Sequence, residues 1–448
     1  MNYEALAQDV VARAKKAGAE EADVWLQTST EFSVQVRKGE IETLTQAGNK
    51  GLGLRVFIEG RLGFASTSDF TPEALDKIID TTLALAQFAD SKAENGLAEA
   101  ASPLAPIDLQ LADSSIDQLT TEDKIAMAQR CEAVAFESDP RISNSEGAGF
   151  SNTSSLTVLA NSHGLVASYP STACSLYCQP LAEQDGKKQV DYDWSFSRSL
   201  SGLLSPEEVG RNGAERVLRK LGARKVPTQV APVVFERRVA ARIWAGVLQA
   251  VDGDAVFKGM SYLRDRLGDQ IASEQVTLVD DARLIGGAGS APFDGDGLST
   301  RRNVIVDRGI LQMFLYDTVT ARKVGNGAQS TANARRSTMG AGGIGTFNLY
   351  LEAGELSPED IISALPTGFY VTDMMGGGAN TVTGDFSIGA SGVWIEGGKL
   401  AFPVEEVTIA GTMESILKGV ERVGNDLLFQ STVVSPTFQV AGMTISGL

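Results

Sequence analysis

Histidine is all but missing from this 448-residue chain, which holds one, His163. Ser-His-Asp and Cys-His catalysis are thereby excluded unless that residue carries the proton. Asn161-Ser162-His163-Gly164 reads as a turn between two strands, with the ring facing water. Cysteine is nearly as scarce. Cys131, Cys174 and Cys178 are too few, and odd in number, for a disulfide framework, and they predict a reducing, cytoplasmic setting. A tetrahedral zinc site needs about four Cys, His or carboxylate ligands. Cys174 and Cys178 share a strand face but lie roughly 13 Å apart along it, and Cys131 shares a helical stripe with Met127 and Val134. All three read as core.

Long hydrophobic runs are also absent. No window approaches the ~20 apolar residues of a membrane span, and Met1 to Ala17 lacks the apolar centre and cleavage site of a secretory signal. Positive charge is in deficit: 39 Lys and Arg against 56 Asp and Glu leave a formal charge of -17. Such a chain repels a polyphosphate backbone, so no nucleic-acid partner is expected. The densest basic stretch, Arg216 to Lys225, falls at a predicted helix C-terminus, where the helix dipole favours cations.

What is present describes a globular protein, 43% hydrophobic and 21% charged, with length for two sizeable cores. The predicted fold class is α+β: a duplicated helix/antiparallel-meander/helix domain over residues 1–222, with repeats at about 1–90 and 120–222, then a mainly β domain with a few helices over 223–448. Asn2 to Ala17 reads as a helix with Leu6, Val10 and Ala14 on one stripe and Gly18 ending it. Short alternating segments follow at Ala22–Gln27, Phe32–Arg37, Glu40–Gln46, Leu52–Ile58 and Arg61–Ser66, with hairpin glycines at Lys38-Gly39 and Glu59-Gly60. Thr71-Pro72-Glu73 opens the closing helix. After a linker from Ala100 to Ser115, the order returns: a helix over Thr121–Glu137, strands from Arg141 to Phe196, and a helix opened by the capping box at Ser205-Pro206-Glu207-Glu208 and running to Leu221. Gly222 to Pro232 reads as the domain junction, followed by a helix at Arg237–Val251. Farther on, Ser357-Pro358-Glu359-Asp360 caps one helix and Thr412–Val420 forms another.

Three patterns invite a chemical test. Counting from Asp294 in Asp294-Gly295-Asp296-Gly297, the twelfth position of an EF-hand calcium loop falls on Ile305, so a turn with an Asx cap is the expectation. Gly340, Gly342 and Gly345 match G-x-G-x-x-G but precede a strand-like run, which makes them a bend or bulge. Gly376, Gly377 and Gly378 let the backbone approach a neighbouring strand or a bound peptide. With Asn380 they are the candidate substrate-binding residues.

From Val233 onward a set of segments carries a family likeness: Val251-Asp-Gly-Asp254, Lys258-Gly-Met-Ser261, Val279-Asp-Asp281, Phe293-Asp-Gly-Asp-Gly297, Gly309-Ile-Leu311, Ala321-Arg-Lys323, Met375-Gly-Gly-Gly378, Thr383-Gly-Asp385, Trp394-Ile-Glu-Gly-Gly398, Pro403-Val404 and Val423-Gly-Asn-Asp426. These resemble the TldD/PmbA family, once called modulators of DNA gyrase and now regarded as peptidases. The first half resembles it more loosely. In the family's catalytic TldD branch, the helix matching 237–251 carries H-E-x-x-x-H, and a late cysteine completes a zinc site. The positions matching those residues are Trp244, Ala245 and Gln249, and no cysteine follows Cys178. An indole is no zinc ligand, an amide is a poor one, and a methyl takes no proton from water. Positions five apart also diverge by roughly 140° on an ideal helix; the resemblance leaves Trp244 to fill the apolar space where the metal would sit.

The likeness therefore runs to the PmbA/TldE branch. It implies a non-catalytic subunit, without metal, cofactor or catalytic residues of its own, paired with a zinc-bearing TldD-like subunit in a heterodimeric protease for unfolded or leader-bearing peptides. Substrate would bind as an added strand, and the chain alone could pair with a second copy. Two other readings stand beside it: a peptidase with a carboxylate metal site around Asp252, Asp254, Asp280 and Asp281, and a non-enzymatic regulator of gyrase or another large protein.

Overall fold

The computed structural model describes residues 1–99 and 107–447; positions 100–106 of the expected linker lie outside the described residues. Helix α1 (Tyr3–Lys16) leads into three long strands, β1 (Glu21–Arg37), β2 (Glu40–Ile58) and β3 (Arg61–Thr67), and helix α2 (Pro72–Phe88). After α3 (Ser115–Gln118) come α4 (Thr121–Ser138), β4 (Ile142–Asn161), β5 (Val166–Gln184), β6 (Lys187–Val190), β7 (Asp193–Ser197) and α5 (Pro206–Arg219). The separate short segments expected at 22–37 and 40–58 are in fact two continuous strands. The stretch Thr28-Ser29-Thr30 breaks hydrophobic alternation without breaking the backbone ladder, because β1 is paired along its length with β2 on one side and β4 on the other. The turns are as expected: Lys38 and Gly39 have φ of 54° and 77°, Glu59 and Gly60 of 50° and 73°, the twist a two-residue hairpin needs.

The strands form one sheet in the order β3-β2-β1-β4-β5-β6, with β7 also on β5. Strand periodicity assigns its two faces. Even positions (Val24, Leu26, Phe32 and Val34 of β1, Phe150 and Val158 of β4, Cys174 and Cys178 of β5) pack beneath the helices in two adjoining cores. Odd positions (Asp23 and Trp25 of β1, Arg55 of β2, Leu159 of β4) face the second half of the chain, where Trp25 and Leu159 cluster with Phe293.

That second half begins with β8 (Gln229–Phe235), α6 (Arg237–Ala250) and α7 (Gly253–Phe257). Next come β9 (Leu278–Asp281), β10 (Arg302–Asp307), β11 (Ile310–Leu311), α8 (Thr318–Val324), β12 (Ala334–Ser337), β13 (Gly340–Ile344), β14 (Leu349–Leu351) and α9 (Pro358–Ser363). It ends with β15 (Thr367–Ala379), β16 (Asp385–Glu396), β17 (Lys399–Thr412), α10 (Met413–Lys418), β18 (Val420–Val423), β19 (Val433–Val434) and β20 (Phe438–Ser446). Strands β17-β16-β15-β8-β20-β18 make one sheet, which closes on itself through a β17–β20 pairing, and β11-β10-β9-β14-β19 make another. Gly340 and Gly342 lie within strand β13 itself and Gly345 just past its end, so the bend falls at Thr338-Met339 and the bulge between Arg335 and Ser337 of β12 rather than at the glycines. Among the described residues, no helix is long and apolar enough to cross a membrane.

Ion pairs join the halves. Asp23 and Arg55, cross-strand neighbours, are bonded at 2.6 Å; Arg55 also reaches Asp296 at 3.2 Å, and Arg336 lies 2.8 Å from Asp23. Burial acts to raise the Asp23 pKa, and Arg336 and Arg55 outweigh it, so Asp23 stays below its ordinary value. Burial, aided by Arg55, pushes Arg336 down to about 10. Arg216 pairs with Glu236 at 2.7 Å and Lys220 with Asp373 at 3.1 Å. The basic segment at the end of α5 is thus an interdomain tie, not only a complement to the helix dipole.

Candidate functional site

Helix α6 follows β8 directly and buries a stripe of Val239, Ala240, Ile243, Trp244, Val247 and Ala250, the i, i+3, i+4, i+7 pattern of a helix pressed on a sheet. Trp244 is 0% exposed. Its ring packs on Phe438 with centroids 5.4 Å apart, and its Nε1 donates to the Ser435 hydroxyl at 3.0 Å. Ala245 is half-buried and Gln249 is exposed. The three positions expected to mark the degenerate metal motif therefore do not converge: one is in the core, and another, 140° around the helix, is in solvent.

Zinc does not fit these residues. The indole N–H is a donor with no free lone pair, and it is already engaged. Among the described residues, no group of three or more His, Cys, Asp or Glu side chains is placed to hold a metal ion. The four carboxylates of the alternative reading are separately occupied. Asp252 caps α7 through the Asp254 and Ala255 amides, and Asp254 pairs with Lys258 and with Lys323 at 2.7 Å. Asp280 accepts from Asn333 and the Phe347 amide, each at 2.7 Å, while Asp281 accepts from the Arg283 amide. Burial pushes Asp280 up to about 6. Asp294 makes the expected Asx turn, its Oδ1 accepting from the Asp296 and Leu298 amides, and burial together with the charge of Asp296 raises its pKa.

Gly376, Gly377 and Gly378 have φ of 60°, 53° and 139° and form a bulge where the β15–β16 register shifts between Met375 and Gly378. A Cβ on Gly377 would come within 2.1 Å of the Ser387 carbonyl oxygen, whereas Gly376 and Gly378 meet open space. Asn380 turns the chain into β16, its side-chain oxygen accepting from the Val382 and Thr383 amides. These four residues lie together at one hairpin end, next to α6: Gly246 would touch Ala379 through an added Cβ. His163 does lie in the β4–β5 turn, but its ring does not simply face water. It bridges Glu21, at 2.9 Å from Nε2, and the Ala98 carbonyl, at 3.1 Å from Nδ1.

At the other end of α6, a cavity of about 220 Å³ opens between β7 of the first half and residues 428–435 of the second, beside Arg237, Arg238 and Ala241. Sequence reasoning did not single it out, because its walls are brought together by three segments more than 30 residues apart.

A closed β domain carrying one amphipathic helix is docked on a long-stranded, helix-covered sheet. Family models place it: the PmbA/TldA metallopeptidase domain 1 matches residues 22–86, the central domain 114–221 and the C-terminal domain 228–447. The chain belongs to the PmbA/TldD metallopeptidase family. Similar proteins include metalloprotease PmbA of Escherichia coli O157:H7, 34% identical over 95% of this chain and 92% of that protein, and a PmbA homologue of Haemophilus influenzae, 34% identical over 97% and 94%. A Haemophilus influenzae TldD homologue is 25% identical over 90% of this chain and 85% of its own length. A Bacteroides thetaiotaomicron crystal structure described as a modulator of DNA gyrase superposes with a TM-score of 0.92, at 29% identity and complete coverage of both chains. TldE from Thermococcus kodakarensis, at 21% identity, shares the fold with a TM-score of 0.89 over 99% of this chain and 100% of that one.

Proposed function

We propose that the chain is the non-catalytic, PmbA/TldE-like subunit of a heterodimeric zinc metalloprotease, paired with a TldD-like chain that supplies the metal and acting on unfolded or leader-bearing peptides. The observation that carries this reading is the state of α6: an indole is packed into the core and hydrogen-bonded to Ser435 at the position where the resemblance to the TldD branch implies an imidazole. Its contribution to proteolysis is to hold peptide and partner. In keeping with that role, β2 between Glu40 and Asn49 pairs only with β1 among the described residues, and such a free edge is what an extended peptide adds to.

The test mixes the purified chain with a TldD homologue from the same source and a flexible peptide, with metal analysis of each protein. Cleavage is expected only when both chains are present, with zinc in the partner alone. Cleavage by this chain alone, with zinc bound to it, overturns the reading.

A further inference from the structure

We infer that the cavity beside the first turn of α6 is a subsite for the C-terminal carboxylate of a peptide ending in an apolar residue. This rests on the reading that the chain handles peptides, and it names what part of the peptide is held. Arg237, Gln430 and Ser431 line the cavity, and none of their side chains has a hydrogen bond or ion pair among the described residues. Arg238, also at the cavity, is by contrast committed to Asp193 at 2.7 Å and to the Tyr192 carbonyl at 3.0 Å. A guanidinium, an amide and a hydroxyl converging without partners match the lone pairs of one carboxylate, with the guanidinium able to bind it through two parallel bonds.

The rest of the lining decides between anions. Tyr192, Trp194 and Val433 give the cavity apolar walls, and it has two arginines and no carboxylate. A phosphate would want more donors and no apolar wall, whereas a terminal residue offers both a carboxylate and a side chain to bury. The volume suits about one residue. The formal charge of -17 makes the case sharper, since the molecule as a whole repels anions; a preference for a free acid must come from local groups. Trp244 anchors Ser435, which also lines the cavity. Ser435 accepts from its indole and donates to the Pro436 carbonyl at 2.7 Å, which fixes the segment carrying Gln430 and Ser431.

The experiment titrates the purified chain calorimetrically with acetyl-Gly-Ser-Ala-Leu as the free acid and as the C-terminal amide. The free acid is expected to bind at least about tenfold more tightly, the order of one charge-assisted hydrogen-bond pair. Arg237→Gln should abolish the preference, and Gln430→Ala or Ser431→Ala should reduce it, with circular dichroism unchanged. Equal affinity for acid and amide, no binding of either, or an undiminished preference in a folded Arg237→Gln protein overturns the subsite. Adding the TldD homologue separates the two claims. If the mixture cleaves acid and amide alike while the chain shows no preference, the subsite fails and the pairing stands. If the preference holds and the mixture cleaves nothing, the pairing fails and the subsite stands.

Discussion

Trp244 and Asp280 show how single residues answer to their surroundings. Trp244 is fully buried against Phe438, so Trp244→Ala should cost about 3–5 kcal/mol through lost transfer energy and a cavity, read as a lower urea midpoint. Reinstalling the missing motif by Trp244→His, Ala245→Glu and Gln249→His should destabilise the chain and still bind no zinc, because position 249 faces solvent while position 244 faces the core. Stoichiometric zinc in that triple variant, measured by mass spectrometry, would contradict the geometry. Asp280 titrates at about 6 in the fold against 3.8 ordinarily. Its neutral form is favoured in the native state, so this stabilisation is complete below about pH 4 and lost as pH rises through 6, amounting to roughly 3 kcal/mol. Asp280→Asn should lower stability overall, by setting an amide donor against Asn333, yet flatten the slope between pH 4 and 7. Parallel pH curves for the two proteins would show that Asp280 ionises normally.

At the scale of elements, the β15–β16 hairpin separates two reasons for glycine. Both Gly376 and Gly377 have left-handed φ, which costs an alanine about 1–2 kcal/mol. Gly377 alone also faces the Ser387 carbonyl at 2.1 Å. Gly377→Ala should therefore lower the melting temperature well beyond Gly376→Ala; equal shifts would mean that the bulge relaxes freely. Turn chemistry was legible in the sequence because it is local: Lys38-Gly39 and Glu59-Gly60 announce their hairpins. Strand length was not. Polar residues in the middle of β1 divide its alternation into two short segments, yet pairing with β2 and β4 keeps them extended, and only the sheet supplies those partners.

For the whole molecule, the coupling of the halves rests on buried charge. Arg55 sits between Asp23 and Asp296, which outweigh the burial penalty and hold its pKa above the ordinary value. Arg55→Ala leaves Asp296 without a guanidinium and Asp23 with Arg336 alone, at a cost of about 3–5 kcal/mol. Limited proteolysis should then cut between the halves faster than in the parent; an unchanged rate would place the coupling elsewhere. A charge inside the apolar run Ala22-Asp23-Val24-Trp25 was the available signal for this network, though it names no partner.

The sequence by itself determined the mixed α+β class, the hairpin turns and the capping boxes, since each depends on residue chemistry or on neighbours a few positions away. Tertiary structure decided which strands are continuous, that Trp244 lies in the core against Phe438, and that Arg237 meets Gln430 and Ser431 across a cavity. Those facts depend on contacts between distant segments, whose closeness is set by the packing of the two halves and by no local pattern.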